Sequence, residues 1–136
     1  MENRELVRMA IAARENAYTP YSHFKVGAAL LAKDGRVFTG CNIECASYSP
    51  TNCAERTALF KAVSEGAREF SAIAVVGWKE GEKCTSFAAP CGVCRQMLFE
   101  FCGPDMPVIM AKSEEDTLVM TLGELLPVGF GPDNLL

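Results

Sequence analysis

The sequence has a single histidine, His23, so a zinc site built from several imidazoles is impossible. Basic charge is also sparse. Thirteen Lys and Arg stand against 17 Asp and Glu, a net charge of -4, and the cations are scattered, as at Arg4, Arg8 and Arg14. Nucleic-acid binding relies on a basic patch to meet phosphates, so no polynucleotide partner is expected. No unbroken apolar run approaches the roughly 18–20 residues that span a bilayer, and no membrane partner is expected. The start, Met1 to Glu5, is charged and does not resemble a signal peptide, which makes the cytoplasm the expected compartment. Repeats, low-complexity tracts and linkers are absent, so residues 1–136 read as one domain. With 49% hydrophobic and 22% charged residues, the chain can bury a core without disulfide staples and is not a disordered sequence.

Cysteine, by contrast, is plentiful: Cys41, Cys45, Cys53, Cys84, Cys91, Cys94 and Cys102. An odd number without a secretion signal argues against a disulfide framework. Clustered cysteines in a reducing compartment more often bind metal, and scattered ones pack as small apolar groups.

Hydrophobic periodicity predicts a helix from about Asn3 to Tyr18, with Asn3 as its cap and Pro20 as its stop. Phe24–Ala32 and Arg36–Cys41 flank Asp34-Gly35 and read as a β-hairpin. Residues 42–52 form a polar loop. A second helix is expected over Cys53–Ser64, capped by Asn52 and closed by Gly66. Phe70–Gly77 reads as a strand, Lys79–Ala89 as a polar loop, and Cys91–Phe101 as a third helix. Strands at Pro107–Ala111 and Leu118–Met120 are joined so closely that they must be antiparallel, and a short helix begins at Thr121. Helices between strands imply a sheet covered on both faces. The expected fold is α/β: a three-layer α/β/α domain with a mixed five-stranded sheet.

The chemistry concentrates at two helix starts. In Cys91-Gly-Val-Cys94 the sulfurs lie three residues apart and share a helix face. Alone, the motif also fits a redox pair or two packed cysteines. Cys53 would make a third sulfur. Catalytic zinc takes three protein ligands and leaves a position for water, whereas structural zinc closes all four. Cys84 and Cys102 lack a paired spacing with Cys53. Glu55 is either a surface glutamate favouring a helix start or a general acid/base beside an activated water. Cys53-Ala-Glu55 with Pro90-Cys91-Gly-Val-Cys94 fills the three-cysteine variant of the zinc deaminase signature. Because residues i and i+2 do not share a helix face, Cys53 must sit at or beside the cap for both it and Glu55 to reach one point. Three thiolates on Zn²⁺ leave a net charge of about -1, which weakens its Lewis acidity. Helix N-termini would offset part of this. Arg56 is open to two readings, a surface salt bridge or a donor that drains charge from a ligand sulfur. His23 reads as an exposed loop residue.

The sequence resembles the small homotetrameric zinc-dependent cytidine deaminases over nearly its whole length. The segments that carry the resemblance are Tyr18–Ser22, Phe24–Ala29, Gly40–Glu44, Ala46–Tyr48, Cys53–Ala58, Pro90–Gln96 and Leu125–Pro127. It implies a cytidine-deaminase-like fold, one Zn²⁺ per chain on Cys53, Cys91 and Cys94, and Glu55 as the proton shuttle. It further implies that Phe24 stacks on the pyrimidine, that Asn42 and Glu44 hold the ribose 3′-hydroxyl, and that Ala54 offers backbone contacts to the base. Ala46 and Tyr48 would reach the sugar across a subunit interface, and Phe130 would enter a neighbour's site. Read without the family, Asn42 and Glu44 are ordinary loop residues. Cys45 departs from the family, standing where asparagine is common.

The expected reaction is hydrolytic deamination of free cytidine and 2′-deoxycytidine, with release of ammonia, in pyrimidine salvage. The anionic Glu44 favours a nucleoside over a nucleotide. Two alternatives remain: a deaminase of another aminopyrimidine nucleoside such as blasticidin S, and a non-catalytic module held by a four-ligand zinc.

Overall fold

The computed structural model describes residues 1–136. Its elements run α1 (Asn3–Arg14), β1 (Phe24–Ala32), β2 (Val37–Cys41), α2 (Ala54–Ser64), β3 (Phe70–Lys79), α3 (Gly92–Phe101), β4 (Pro107–Ala111), β5 (Thr117–Thr121) and α4 (Leu122–Leu125), then a 3₁₀ turn at Pro132–Asn134. The five strands form one sheet in the order β2-β1-β3-β4-β5. The pairs β1–β2, β1–β3 and β4–β5 are antiparallel, while β3–β4, joined through α3, is parallel.

The central strands are mostly apolar because both faces are covered, with Lys25, Ser71 and Lys79 confined to their ends. Period-two alternation divides them between two cores. Ala28, Leu30, Ile73, Val75, Val108 and Met110 pack against α2, α3 and α4 through Ala54, Ala58, Leu98 and Leu122. Ala29, Ala74, Val76 and Ile109 face the other way, onto Leu6, Val7 and Ala10 of α1. This is the expected three-layer α/β/α arrangement. On the α1 face the helix lies so close to β1 that a Cβ at Gly27 would sit 2.0 Å from the Ala10 carbonyl oxygen.

Several boundaries differ from the sequence reading. Helix α1 stops at Arg14 rather than Tyr18, because the chain leaves it to pair elsewhere. The Tyr18 N–H donates to the Asn42 carbonyl, and the Glu44 N–H donates to that of Tyr18. Neither predicted cap is used. The residue before α1 is Glu2, which makes no side-chain cap bond, and the residue before α2 is Cys53 rather than Asn52. The Asn52 amide is engaged instead as a donor to Thr57 Oγ1. Strand β3 runs two residues past Gly77 because its ladder with β1 continues to Phe24 opposite Lys79. The Thr121 start of the last helix is a full capping box with Glu124. No helix is long and apolar enough to cross a membrane.

Candidate metal centre and active site

Cys53 and Cys91 are the residues immediately before α2 and α3, both with extended backbone (φ -78°, ψ 157° and φ -67°, ψ 167°). Cys94 lies in the first turn of α3 and is fully buried. The cap position required for Cys53 is thus the one it occupies. The three sulfurs lie within 4.8 Å of one another and form the molecule's one cluster of metal-ligating side chains. Cys53 Sγ and Cys91 Sγ are 3.8 Å apart. Sulfurs each about 2.3 Å from a tetrahedral zinc stand about 3.8 Å from one another, so the spacing fits that ion. Cys102 is buried in the core and Cys84 turns toward the Ser86 carbonyl; neither joins the cluster, and no fourth protein ligand closes it.

The thiols already interact. Cys53 is pulled down to about 5, first by hydrogen bonding with Cys94 and then by Arg56 and Cys91. Cys94, sharing that proton and buried, is pushed up. The Arg56 Nη2 donates to Cys53 Sγ at 3.3 Å, and Arg56 makes no ion pair with any carboxylate. Of its two sequence readings, the salt bridge is not realised. Both helices present their N-terminal ends to the cluster, where the partial positive charge favours thiolates.

Glu55 sits in the first turn of α2, 4% exposed. Burial pushes its carboxyl up to about 7. With Cys53, Cys91 and Ala54 it lines a cleft of about 220 Å³ whose other walls include Phe24, Val26, Asn42, Ala88 and Ala89. The cleft is mostly apolar, with the acid and the sulfurs at one end. Phe24, at the start of β1, is partly exposed on its rim.

Asn42, on the wall of this cleft, and Glu44, outside it, are tied to the backbone. Asn42 Oδ1 accepts from the Val26 N–H and its Nδ2 donates to the Phe24 carbonyl, each at 2.8 Å. Glu44 Oε1 accepts from the Tyr21 and Ser22 N–H groups, and Oε2 accepts from the Ser22 hydroxyl. These bonds hold its carboxyl below the usual range, the Ser22 hydroxyl most of all. Glu44 lines an adjoining open hollow with Tyr21, Ser22, Tyr48 and Thr51. Thr51 borders both hollows.

The structure therefore brings Phe24, Asn42, Cys53, Ala54, Glu55 and Cys91 into one cleft with Cys94 behind it, and Glu44 and Tyr48 into the next. Ala46 and Phe130 line neither. Ala46 is exposed in the loop, and the Phe130 carbonyl accepts from Gln96 Nε2 while its ring is exposed. His23 is an exposed loop residue outside both. Val26, Thr51, Ala88 and Ala89 were not foreseen as wall residues. Their signal was the small apolar Ala88-Ala89 pair beside Pro90-Cys91, within a loop that otherwise reads as polar.

Comparisons with known proteins agree with this geometry. The family described as "Cytidine and deoxycytidylate deaminase zinc-binding region" matches residues 1–110. A cytidine deaminase of Sporosarcina psychrophila is 50% identical over 135 residues, covering 99% of this chain and 96% of that one. One from Halalkalibacterium halodurans is 50% identical over 135 residues, covering 99% and 98%. The crystal structure of a cytidine deaminase from Burkholderia pseudomallei superposes with a TM-score of 0.86 at 52% identity, covering 96% of this chain and all of that one. With a zinc-binding deaminase region that contains a converging three-cysteine cluster, this chain belongs to the cytidine deaminase family.

Proposed function

We propose that this chain, as one domain over residues 1–136, hydrolyses free cytidine and 2′-deoxycytidine to the corresponding uridines and ammonia. The observation that carries this reading is the meeting of three sulfurs with the buried Glu55 at one end of an apolar cleft of nucleobase dimensions. Cys53, Cys91 and Cys94 hold Zn²⁺. When bound, zinc supplies the Lewis acidity that makes a water molecule acidic near neutral pH.

The remaining work belongs to the chain's own groups. Glu55 takes a proton from the attacking water and holds it on a carboxyl oxygen. It passes that proton to the ring nitrogen as the water oxygen bonds to the adjacent amino-bearing carbon, then carries the remaining proton from that oxygen to the amine, which leaves as ammonia as the C–N bond breaks and the carbonyl forms. A carboxyl held near 7 by burial is suited to both directions of transfer. Arg56 and the two helix starts draw charge from the sulfurs. Phe24 stacks on the base, Ala54 meets its edge, and Asn42 and Glu44 hold the sugar hydroxyl. The anionic Glu44 repels a phosphate, which supports a nucleoside rather than a nucleotide as substrate.

Family membership and the 73% exposure of Tyr48, held at φ 64°, support a homotetramer in which Ala46, Tyr48 and Phe130 complete a neighbour's site. The activity belongs to pyrimidine salvage, with the cytoplasm as its compartment. The decisive assay follows the ultraviolet absorbance of cytidine with and without a zinc chelator. Loss of absorbance that the chelator abolishes is expected; no loss with the zinc-loaded protein overturns the reading. A blasticidin-S deaminase of Bacillus cereus is 30% identical over 132 residues, so that nucleoside is the competing substrate, and relative kcat/KM on the two decides between them.

A further inference from the structure

We propose that Gly40 is a positioning residue: it lets the first turn of α2 seat against β2 and thereby sets the placement of Cys53 and Glu55. A Cβ built at Gly40 would lie 2.5 Å from the Ala54 carbonyl oxygen, 2.5 Å from the Ala58 backbone nitrogen and 3.0 Å from Thr57 Cβ. Two of these neighbours are backbone atoms, so no rotamer change relieves the contact. The Ala54 carbonyl lies between the two working residues, Cys53 before it and Glu55 after it.

The two sides of the contact are not equally free to move. Strand β2 is paired with β1 from Val37 to Cys41. Just beyond Cys41, Asn42 locks the chain to β1 through the Val26 N–H and the Phe24 carbonyl. The start of α2 carries no ladder bonds: Ala54, Ala58 and Leu59 pack it into the larger core, and packed helices accommodate small sliding displacements. Apart from the close seat at Gly40, the helix is held to this region by the Asn52 to Thr57 side-chain bond and by Lys61 Nζ donating to the Thr39 carbonyl. Moving the added carbon from 2.5 Å to the 3.0 Å below which such contacts do not occur displaces that turn by about half an ångström. Catalytic constellations have to be held within about that much, and since a displacement of about 1 Å costs on the order of 100-fold in rate, half of that is expected to cost about 10-fold.

The inference rests on Cys53 and Glu55 being ligand and proton carrier, which wild-type turnover and its loss in Glu55→Gln decide separately. The test compares Gly40→Ala with Leu6→Ala, a destabilising change in the α1 core on the far side of the sheet. Each variant is measured for melting temperature, kcat, KM and the visible d–d spectrum of the cobalt(II)-substituted protein. Gly40→Ala is expected to lower kcat about 10-fold, keep KM within about threefold and shift the cobalt bands. Leu6→Ala is expected to lower the melting temperature while leaving kcat and the spectrum as in wild type. Should Gly40→Ala not fold, Lys61→Met supplies the milder displacement, since Lys61 is exposed and its side chain's one hydrogen bond ties α2 to β2 beside Gly40. It is expected to lower kcat about two- to fivefold at unchanged KM. The inference is overturned by wild-type kcat in Gly40→Ala, by a loss in KM alone, by an equal kcat loss in Leu6→Ala, or, where only the milder variant folds, by wild-type kcat in Lys61→Met.

Discussion

The two ends of the site are built from different material. At the metal end, Cys53, Glu55, Cys91 and Cys94 hang from two helix starts packed into the larger core, and Cys94 and Glu55 are buried. On the proposed sugar side, Asn42 on the cleft wall, Glu44 and Tyr48 in the adjoining hollow and Ala46 outside both hang from a loop, with Ala46 and Tyr48 exposed. Helix starts fixed by a core hold reacting groups within fractions of an ångström. A loop achieves this only where side-chain hydrogen bonds replace packing, as they do at Asn42 and Glu44, whereas the Tyr48 side chain makes none. One chain thus brings the reacting groups together and leaves the outer residues of the proposed sugar side open. Substitutions at the first end are expected to act on zinc and kcat, and those at the second on KM.

The largest effect is expected from Cys94→Ala. Loss of a buried ligand should bring zinc content, measured by atomic emission, close to none, and turnover to background. Retention of a full equivalent would break the comparison at its foundation. Glu55→Gln comes next. It is nearly isosteric and lies outside the ligand set, so zinc should stay bound while kcat falls about 10²- to 10⁴-fold. Normal turnover in this variant removes Glu55 from the mechanism.

The same division governs what could be read from sequence. The metal end was legible because its geometry is local: Cys91 and Cys94 are one helical turn apart, and the i, i+2 spacing of Cys53 and Glu55 already demanded a cap position for Cys53. The strand pattern was legible for the same reason, since β1 and β4 are long apolar runs bounded by turn or breaker residues. What escaped depended on which partner each group takes once the chain is folded. Asn52 is a good cap by propensity, but its amide is taken by Thr57. Tyr18 belongs to α1 by periodicity, but Asn42 and Glu44 claim its backbone. Arg56 had two readings, and only the position of Cys53 Sγ at 3.3 Å chose between them. The cleft wall at Ala88 and Ala89 lies in a segment whose composition reads as a solvated loop.

Between the two ends, Arg56→Gln should sharpen the contrast. It removes a donor to a ligand sulfur without removing a ligand, so kcat or zinc affinity should fall about 10- to 100-fold with KM little changed. A change in KM alone would place Arg56 with the substrate instead. Glu44→Gln should do the reverse, raising KM about tenfold through a lost charged hydrogen bond, with kcat and zinc content near wild type. Its pH dependence has a definite sign. The Glu44 carboxyl is held below its ordinary value, so its bonds to Ser22 and the Tyr21 and Ser22 amides are intact above that range. They are lost only as pH falls through the lowered value. In the wild type, KM should therefore stay level from neutral pH down to that point and rise below it.

The smallest effect, and the sharpest test of the open end, is expected from Phe130→Ala. The ring is 57% exposed on its own chain and lines neither hollow, so within one chain its removal should change stability by no more than about 0.5 kcal/mol. If the ring enters a neighbour's cleft, the loss falls on the assembled enzyme. KM should then rise about two- to fivefold with kcat and zinc content unchanged. Sedimentation read alongside the kinetics separates this from simple dissociation, since the variant should remain associated while binding substrate less well. An unchanged KM in an associated variant would end the proposed role of Phe130 and leave the proposed contact with a neighbouring chain to Ala46 and to Tyr48, which lines the second hollow.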